Sequence, residues 1–388
     1  MRRQFWVFFL FYFFYWAAAA SLTPYLSLHF SHLSLSGIQI GSLLSLPALV
    51  VFLSSIFLGF VADLTKRQDW IVKTCLFGLV LSAILLSRGT TFFGLLPIVI
   101  LYSFFSAPVN PLIDQNVIGE YKETPWIYSR ARIGGSIGYG TVVFITGVIS
   151  MSFGLNQIFL IYVFLMILCL LLLFQFPASR SELDRYIHKD FIKSMSQKTT
   201  VNFFFLLLLW SIGEATTIYY LFLFIEDLGG NYALMGLSVS SAIISEIMGF
   251  LISGRLLRKI QLRQILFISL LIQFIRLSSL SMIQSPILVL PIQFIGGISF
   301  ALVLSSSVTY VDRLSSQRSG SSLQSIRSGI QFGLGYSIGA ILGGIANDLV
   351  GYRMTFRLIS LILLFGIVYL VLNKRALPAL NSSYEIAD

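Results

Sequence analysis

Arg132-Ile-Gly134-Gly-Ser-Ile-Gly138-Tyr-Gly140 returns as Arg327-Ser-Gly329-Ile-Gln-Phe-Gly333-Leu-Gly335, 195 residues further along a chain of 388. The offset is almost half the length, so the molecule reads as two copies of one unit. Gly254 follows Gly59 by the same offset, and Trp210 falls opposite Trp16 to within one residue. Hydrophobic residues make up 56% of the chain and charged residues only 11%, against about 25% charged in soluble domains. That deficit suits lipid as the solvent. A span needs about 20 mostly apolar residues. Twelve candidates occur, at roughly 5–28, 37–61, 70–88, 92–116, 130–152, 156–176, 199–225, 231–254, 262–284, 287–311, 322–346 and 354–373.

The predicted fold is therefore all-α and integral to the membrane, with twelve transmembrane helices in two six-helix bundles related by a parallel repeat. The bundles are expected over 1–176 and 199–376, joined by a cytoplasmic loop over 177–198 and followed by a cytoplasmic tail over 377–388. Such a duplicated plan suits a transporter with its site at the repeat interface near mid-membrane. The remaining loops are too short to house a soluble catalytic domain.

A net charge of +10 could suggest nucleic acid, but the positions of the cations argue for topology. With the N-terminus inside, 22 of the 26 Lys and Arg fall on cytoplasmic segments, while Arg88, Arg353 and Arg357 fall on the other face. This is the positive-inside bias. It places both termini in the cytoplasm and the lipid bilayer, rather than nucleic acid, as the partner. Arg2-Arg3 and Ala17-Ala-Ala-Ala20 resemble a signal peptide. The apolar run continues through Leu28, however, and removing it would break the two-copy match. Cys75 and Cys169 lie inside spans and read as packing residues.

An ionised side chain at mid-bilayer costs roughly 2.5–3.5 kcal/mol on insertion scales, so such residues need a partner, a wet cavity or a proton. Asp114, Arg132, Glu214, Glu246 and Arg276 stand in spans four, five, seven, eight and nine. Each is either a functional group or half of a structural ion pair. The glycines of spans five and eleven let helices pack closely, and their presence in both halves sets them along an expected moving interface. Trp16 and Trp210 either line a cavity or pack. Arg327, which begins span eleven, reads as a topology anchor. Neither HExxH, GxSxG nor GxxxxGK[ST] occurs, so no enzyme is expected.

Twelve spans, two repeated halves and a basic central loop resemble the major facilitator superfamily. Gly59-Phe-Val-Ala-Asp63-Leu-Thr-Lys66-Arg67 is similar to that family's cytoplasmic loop signature, which implies a gating role for Gly59, Asp63, Lys66 and Arg67. In the second half Gly254-Arg255-Leu-Leu-Arg258-Lys259 puts a cation where the acid would fall, so the latch is expected to be asymmetric.

Pro111-Leu-Ile-Asp114 followed by Arg130-Ala-Arg132-Ile-Gly-Gly135-Ser-Ile-Gly138-Tyr139 resembles the lactose permease-like branch of that superfamily. The resemblance implies Asp114 and Arg132 as substrate-bonding groups and Tyr139 as a stacking platform. Tyrosine replaces the tryptophan of that branch, which puts galactoside specificity in doubt. Ser245-Glu246 through Arg276 is similar to the members that carry phenylpropionate and nucleosides. It implies Glu246 as proton carrier with Arg276 as its partner. Span ten lacks the histidine and acid of that branch, and His29, His32 and His188 fall in loops or span ends, so carboxylates must carry any proton. Glu214 has no counterpart: a second proton site, a substrate contact or a bond to Thr217.

The expected function is proton-coupled uptake of a small organic solute such as a sugar, nucleoside or aromatic acid, by alternating access. The protein is expected to act as a monomer in a bacterial inner or plasma membrane, with no cofactor beyond the proton gradient. Efflux by proton antiport and a non-transporting solute sensor remain as alternatives, although no proline occurs between Arg130 and Ser152, where efflux members carry a Gly-Pro signature.

Overall fold

A computed structural model describes residues 2–50, 68–121, 126–176, 197–314, 324, 326–373 and 377. Among these residues every regular element is helical. Gly59, Asp63, Lys66 and Arg67 lie outside the described residues, as do 177–196 of the expected central loop and nearly all of the tail.

The elements are α1 (Arg2–Leu22), α2 (Leu26–His32), α3 (Gly37–Val50), α4 (Gln68–Leu86), α5 (Phe92–Ser106) and α6 (Val109–Glu120). Then come α7 (Trp126–Phe153), α8 (Gln157–Leu173), α9 (Lys198–Asp227), α10 (Tyr232–Lys259), α11 (Leu262–Leu280), α12 (Val289–Leu314) and α13 (Tyr336–Leu372), the last preceded by a π-helical stretch, Gly329–Gly335. Pro24 starts the 3-10 turn that joins α1 to α2, and Pro108 separates α5 from α6. The Thr91 side chain caps α5 by accepting from the Gly94 N–H, and Gln261 with Gln264 forms a capping box on α11. Gly154, Gly229 and Gly351 have φ of +88°, +79° and +76°, which only glycine adopts without strain, and each reverses the chain between consecutive spans.

Among the described residues eight helices are long and apolar enough to cross a membrane, and three shorter apolar ones accompany them. The surfaces agree with a lipid solvent. On α8 the buried stripe runs through Ile158, Tyr162, Leu165, Cys169 and Leu173, yet Leu160, Phe164, Ile167 and Leu171 on the outer face are exposed. A helix apolar on all sides has no water-facing side. Many hydroxyls inside the spans bond back to their own helix, as Ser82 does to the Gly78 carbonyl and Thr216 to that of Ile212. That spares them the cost of an unmet polar group in hydrocarbon.

The chain divides into two compact units, Met1–Asp184 with Ile225–Ser240, and Arg185–Phe224 with Ser241–Asp388. Within the first, α1 packs against α7 and α8, and α4 against α5 and α8. A Cβ at Gly134 or Gly138 would press into the backbone carbonyls of Phe9 or Phe13, and one at Gly135 into the Trp16 ring. These glycines therefore seat α7 on α1 inside one unit, not along the expected moving interface. Farther along α7, Gly147 meets the Tyr232 carbonyl, and the Ser240 hydroxyl donates to the Gly140 carbonyl at 2.6 Å. Two side chains of the same unit, His32 at the end of α2 and Glu226 on the last turn of α9, pair at 2.8 Å. In the second unit α11 packs on α12 and α13.

Candidate functional site

Of the residues singled out in the first unit, Asp114, Arg132, Trp16 and Tyr139 form one cluster. Asp114 sits on α6, just beyond the Pro108 break, and Arg132 one turn and a half into α7. The Arg132 Nη1 donates to Asp114 Oδ1 at 3.0 Å, and the Tyr12 hydroxyl donates to the same oxygen at 2.5 Å. The guanidinium lies 5.5 Å from the Tyr12 ring centre and 5.8 Å from that of Trp16. Trp16 and Tyr139 are 6.4 Å apart and tilted by 58°. The pair is open on one side, with 38% of the Arg132 and 25% of the Asp114 side chain exposed. It is thus an ion pair with spare hydrogen-bonding edges and aromatic faces beside it, able to hold a polar solute that carries a flat or apolar side.

Tyr12 and Tyr128, which is within electrostatic reach of both charges, escaped the sequence reading. Span one holds so many aromatic residues that nothing in its pattern separates Tyr12 from packing material.

The second unit holds a drier cluster. Arg276 on α11 donates through Nη1 to Glu214 Oε2 on α9 at 2.7 Å, through Nε to Gln293 Oε1 on α12 at 2.7 Å, and to Gln273 Oε1 at 3.2 Å. Only 3% of the Arg276 and 8% of the Glu214 side chain is exposed. The expected Arg276–Glu246 pair is therefore not the one formed: the guanidinium spends its donors on Glu214 and two glutamines. Nor does Glu214 bond Thr217, whose hydroxyl donates to the Gly213 carbonyl at 3.0 Å. A carboxylate on α9 reached the arginine; the one on α10 did not. Glu246 is half-buried and makes no hydrogen bond or ion pair to any described residue.

Two adjacent glycines of α12 build this arrangement. A Cβ at Gly296 would stand 2.5 Å from the Arg276 guanidinium carbon, so the small residue leaves the space that the charged group fills. One at Gly297 would collide with the Ala242 carbonyl and the Ser245 hydroxyl, so it admits α10 to close contact right beside Glu246. Trp210 is buried, and its indole N–H donates to Ser299 Oγ at 2.9 Å while Ser299 donates to the Ser269 carbonyl. It braces α9 against α12 and leaves no free polar edge. Half-buried Tyr219, Phe300, Phe332 and Tyr336 form a run of ring contacts next to it, and Tyr336 is within electrostatic reach of Glu214, Glu246 and Arg276. Gln273, Gln293 and these four rings were likewise unmarked by sequence.

Arg327 departs from its reading as an anchor at the membrane surface. It is buried, with its Nη1 donating to Gln331 Oε1 and its Nε to Gln324 Oε1, both at 2.8 Å. His29, placed by sequence at a span end, is buried in α2 against the Phe159 ring. Among the described residues no group of three or more His, Cys, Asp or Glu could hold a metal ion.

The chain resembles known proteins over nearly its whole length. The sequence model described as MFS_1 like family matches residues 5–358. An uncharacterized transporter, YwbF, of Bacillus subtilis (strain 168) is 23% identical over 95% of this chain and 91% of its own length. Maltose permease of Geobacillus stearothermophilus is 23% identical over 95% and 94%, and multidrug resistance protein MdtG of Enterobacter lignolyticus (strain SCF1) 25% identical over 94% and 91%. Among solved structures, nucleoside transporter NupG superposes with a TM-score of 0.85 at 17% identity, covering 96% of this chain and 99% of the other. That likeness concerns the fold. Family match and fold agree: the chain belongs to the MFS_1 like family, multi-pass membrane transporters of the major facilitator superfamily.

Proposed function

We propose that this protein is a proton-coupled importer of a small organic solute, a sugar, nucleoside or aromatic acid, working by alternating access. The observation that carries the reading is the contrast between two carboxylates of the second unit. Glu214 is closed into a dry pair with Arg276, whereas Glu246 stands within a membrane span with no partner among the described residues. An unpartnered carboxylate in that setting is tolerated as the neutral acid, and it loses its proton when water or a cation reaches it. Glu246 is then the proton carrier, and the Glu214–Arg276 pair holds the helices around it. Asp114, Arg132, Trp16 and Tyr139 bind the solute. Coupling requires that proton and solute each favour the same conformational change by binding its two states with different free energy.

The fold is read as twelve spans in two six-helix bundles, 1–176 and 199–376. Eight long and three shorter apolar helices, with the last long element broken at Gly351, support that count. Both termini are placed in the cytoplasm of a bacterial cell membrane by the positive-inside bias, and the protein acts as a monomer with no cofactor. In proteoliposomes an inward proton gradient is expected to drive accumulation. Glu246→Gln is expected to abolish accumulation while sparing equilibrium exchange of the solute. Loss of both together removes the coupling role from Glu246. A second reading, efflux by antiport, is favoured by the relative named a multidrug resistance protein. Its mark is that deletion sensitises cells to lipophilic cations.

A further inference from the structure

Two arginines of the spans are matched by the chain's own acids: Arg132 by Asp114 at 3.0 Å and Arg276 by Glu214 at 2.7 Å. Arg327 is not. It keeps only 8% of its surface open, and among the described residues its partners are neutral: Gln324, Gln331 and, at 3.5 Å, Ser307. The internal repeat shows what is missing. The offset of 195 that carries Arg132 onto Arg327 carries Asp114 onto Thr309, whose hydroxyl is spent on the Ser305 carbonyl. The stretch 313–325 contains no acid either. A buried guanidinium without a counter-charge is costly unless an anion completes it.

The surroundings hold that guanidinium in a fixed pose. Gln324 donates through Nε2 to the Val308 carbonyl at 2.9 Å and accepts from Arg327 Nε, pinning the side chain to α12. Gln331 accepts from Nη1. Among the described residues two donors then remain unspent on adjacent side chains: Arg327 Nη2, since its bonds run through Nε and Nη1, and Gln331 Nε2, fully buried and without a partner. Gln331 lies within the π-helical stretch Gly329–Gly335. Such segments are energetically poor and recur at functional sites. Donors only, one of them charged, in a planar fork: this is the geometry that accepts an oxyanion.

We propose that Arg327 and Gln331 form an oxyanion subsite that takes the carboxylate or phosphate group of the transported solute. The inference rests on the reading of the chain as a solute transporter and narrows its cargo to an organic anion. The test uses the full-length protein in phosphatidylcholine nanodiscs, with the thermal transition followed against sodium benzoate or inorganic phosphate and sodium chloride matching the ionic strength. One of the two oxyanions is expected to raise the transition saturably, and chloride is not. Arg327→Gln and Gln331→Leu are expected to raise the half-saturating concentration about tenfold or more, the loss of one charge-assisted hydrogen bond. Arg263→Gln, whose guanidinium serves the Leu370 carbonyl, is expected to leave it unchanged.

If Arg327→Gln fails to fold, Gln331→Leu and Arg327→Lys, which keeps the charge and loses the fork, decide the matter. No saturable response in the wild type, or unchanged half-saturation in the variants that fold, overturns the proposal. So does stabilisation by phosphatidylglycerol that depends on Arg327 with no response to the soluble oxyanions, since the site then serves a lipid headgroup. Binding needs no gradient. Loss of proton-driven uptake with oxyanion binding intact therefore strikes the coupling reading alone, and uptake of a neutral solute without any oxyanion response strikes this one alone.

Discussion

Alanine at Gly296 is expected to destabilise the protein, against the ordinary sign for that change. In a helix interior Gly→Ala usually stabilises, by roughly 0.5–1 kcal/mol. Here the new Cβ would stand 2.5 Å from both Cζ and Nε of Arg276 and 2.8 Å from its Cδ, about an ångström inside normal contact. The guanidinium has nowhere to retreat, because Glu214 and Gln293 hold it at 2.7 Å each and Gln273 at 3.2 Å. Overpacking costs about 1–3 kcal/mol, and distorting a hydrogen bond to a charged group adds about 1.5–3 kcal/mol. The expected net loss is therefore about 1.5–5.5 kcal/mol after the helical gain is subtracted.

The assay is equilibrium unfolding in mixed micelles, run as a cycle in which Gly296→Ala is made in the wild type and in Glu214→Gln/Arg276→Gln. The neutral glutamine lacks Cζ and is no longer held by the ion pair, so it can swing away from the new Cβ, and the substitution is expected to become neutral or favourable in that background, with a coupling of at least about 1 kcal/mol. Equal cost in both backgrounds, or stabilisation in the wild type, would refute the packing role of Gly296 and with it the fixed pose of Arg276.

Tyr12→Phe removes the 2.5 Å bond to Asp114 and nothing else of the ring, so it is expected to weaken solute binding by about 1–2 kcal/mol, roughly five- to thirtyfold in Kd, with little loss of stability. Unchanged affinity by equilibrium binding takes Tyr12 out of the site. His32 and Glu226 are both exposed by more than a third and 2.8 Å apart, so His32→Ala is expected to cost under about 1 kcal/mol of stability.

Spans, repeat and family were all legible in the chain itself, because the hydrocarbon core acts on every residue alike: charge is excluded over runs of about 20 positions, and any hydropathy window records it. The duplicated arginine–glycine stretch marked its own midpoint. The pairing of Asp114 with Arg132 was legible through the resemblance that their two motifs carry. Partner choice was not. Glu214 and Glu246 are each one acid in an apolar helix, indistinguishable in local pattern, and only the crossing of α9, α11 and α12 over Gly296 decides which of them Arg276 reaches. Tyr12, one hydroxyl in an aromatic helix, became a ligand of Asp114 only through the depth at which α1 lies on the glycines of α7. Arg327 read as a surface anchor because sequence gives a residue's place along a span and not what folds over it; Gln324 and Gln331 cover it. Solvent preference is written residue by residue, whereas side-chain partners depend on distances between helices far apart in the chain.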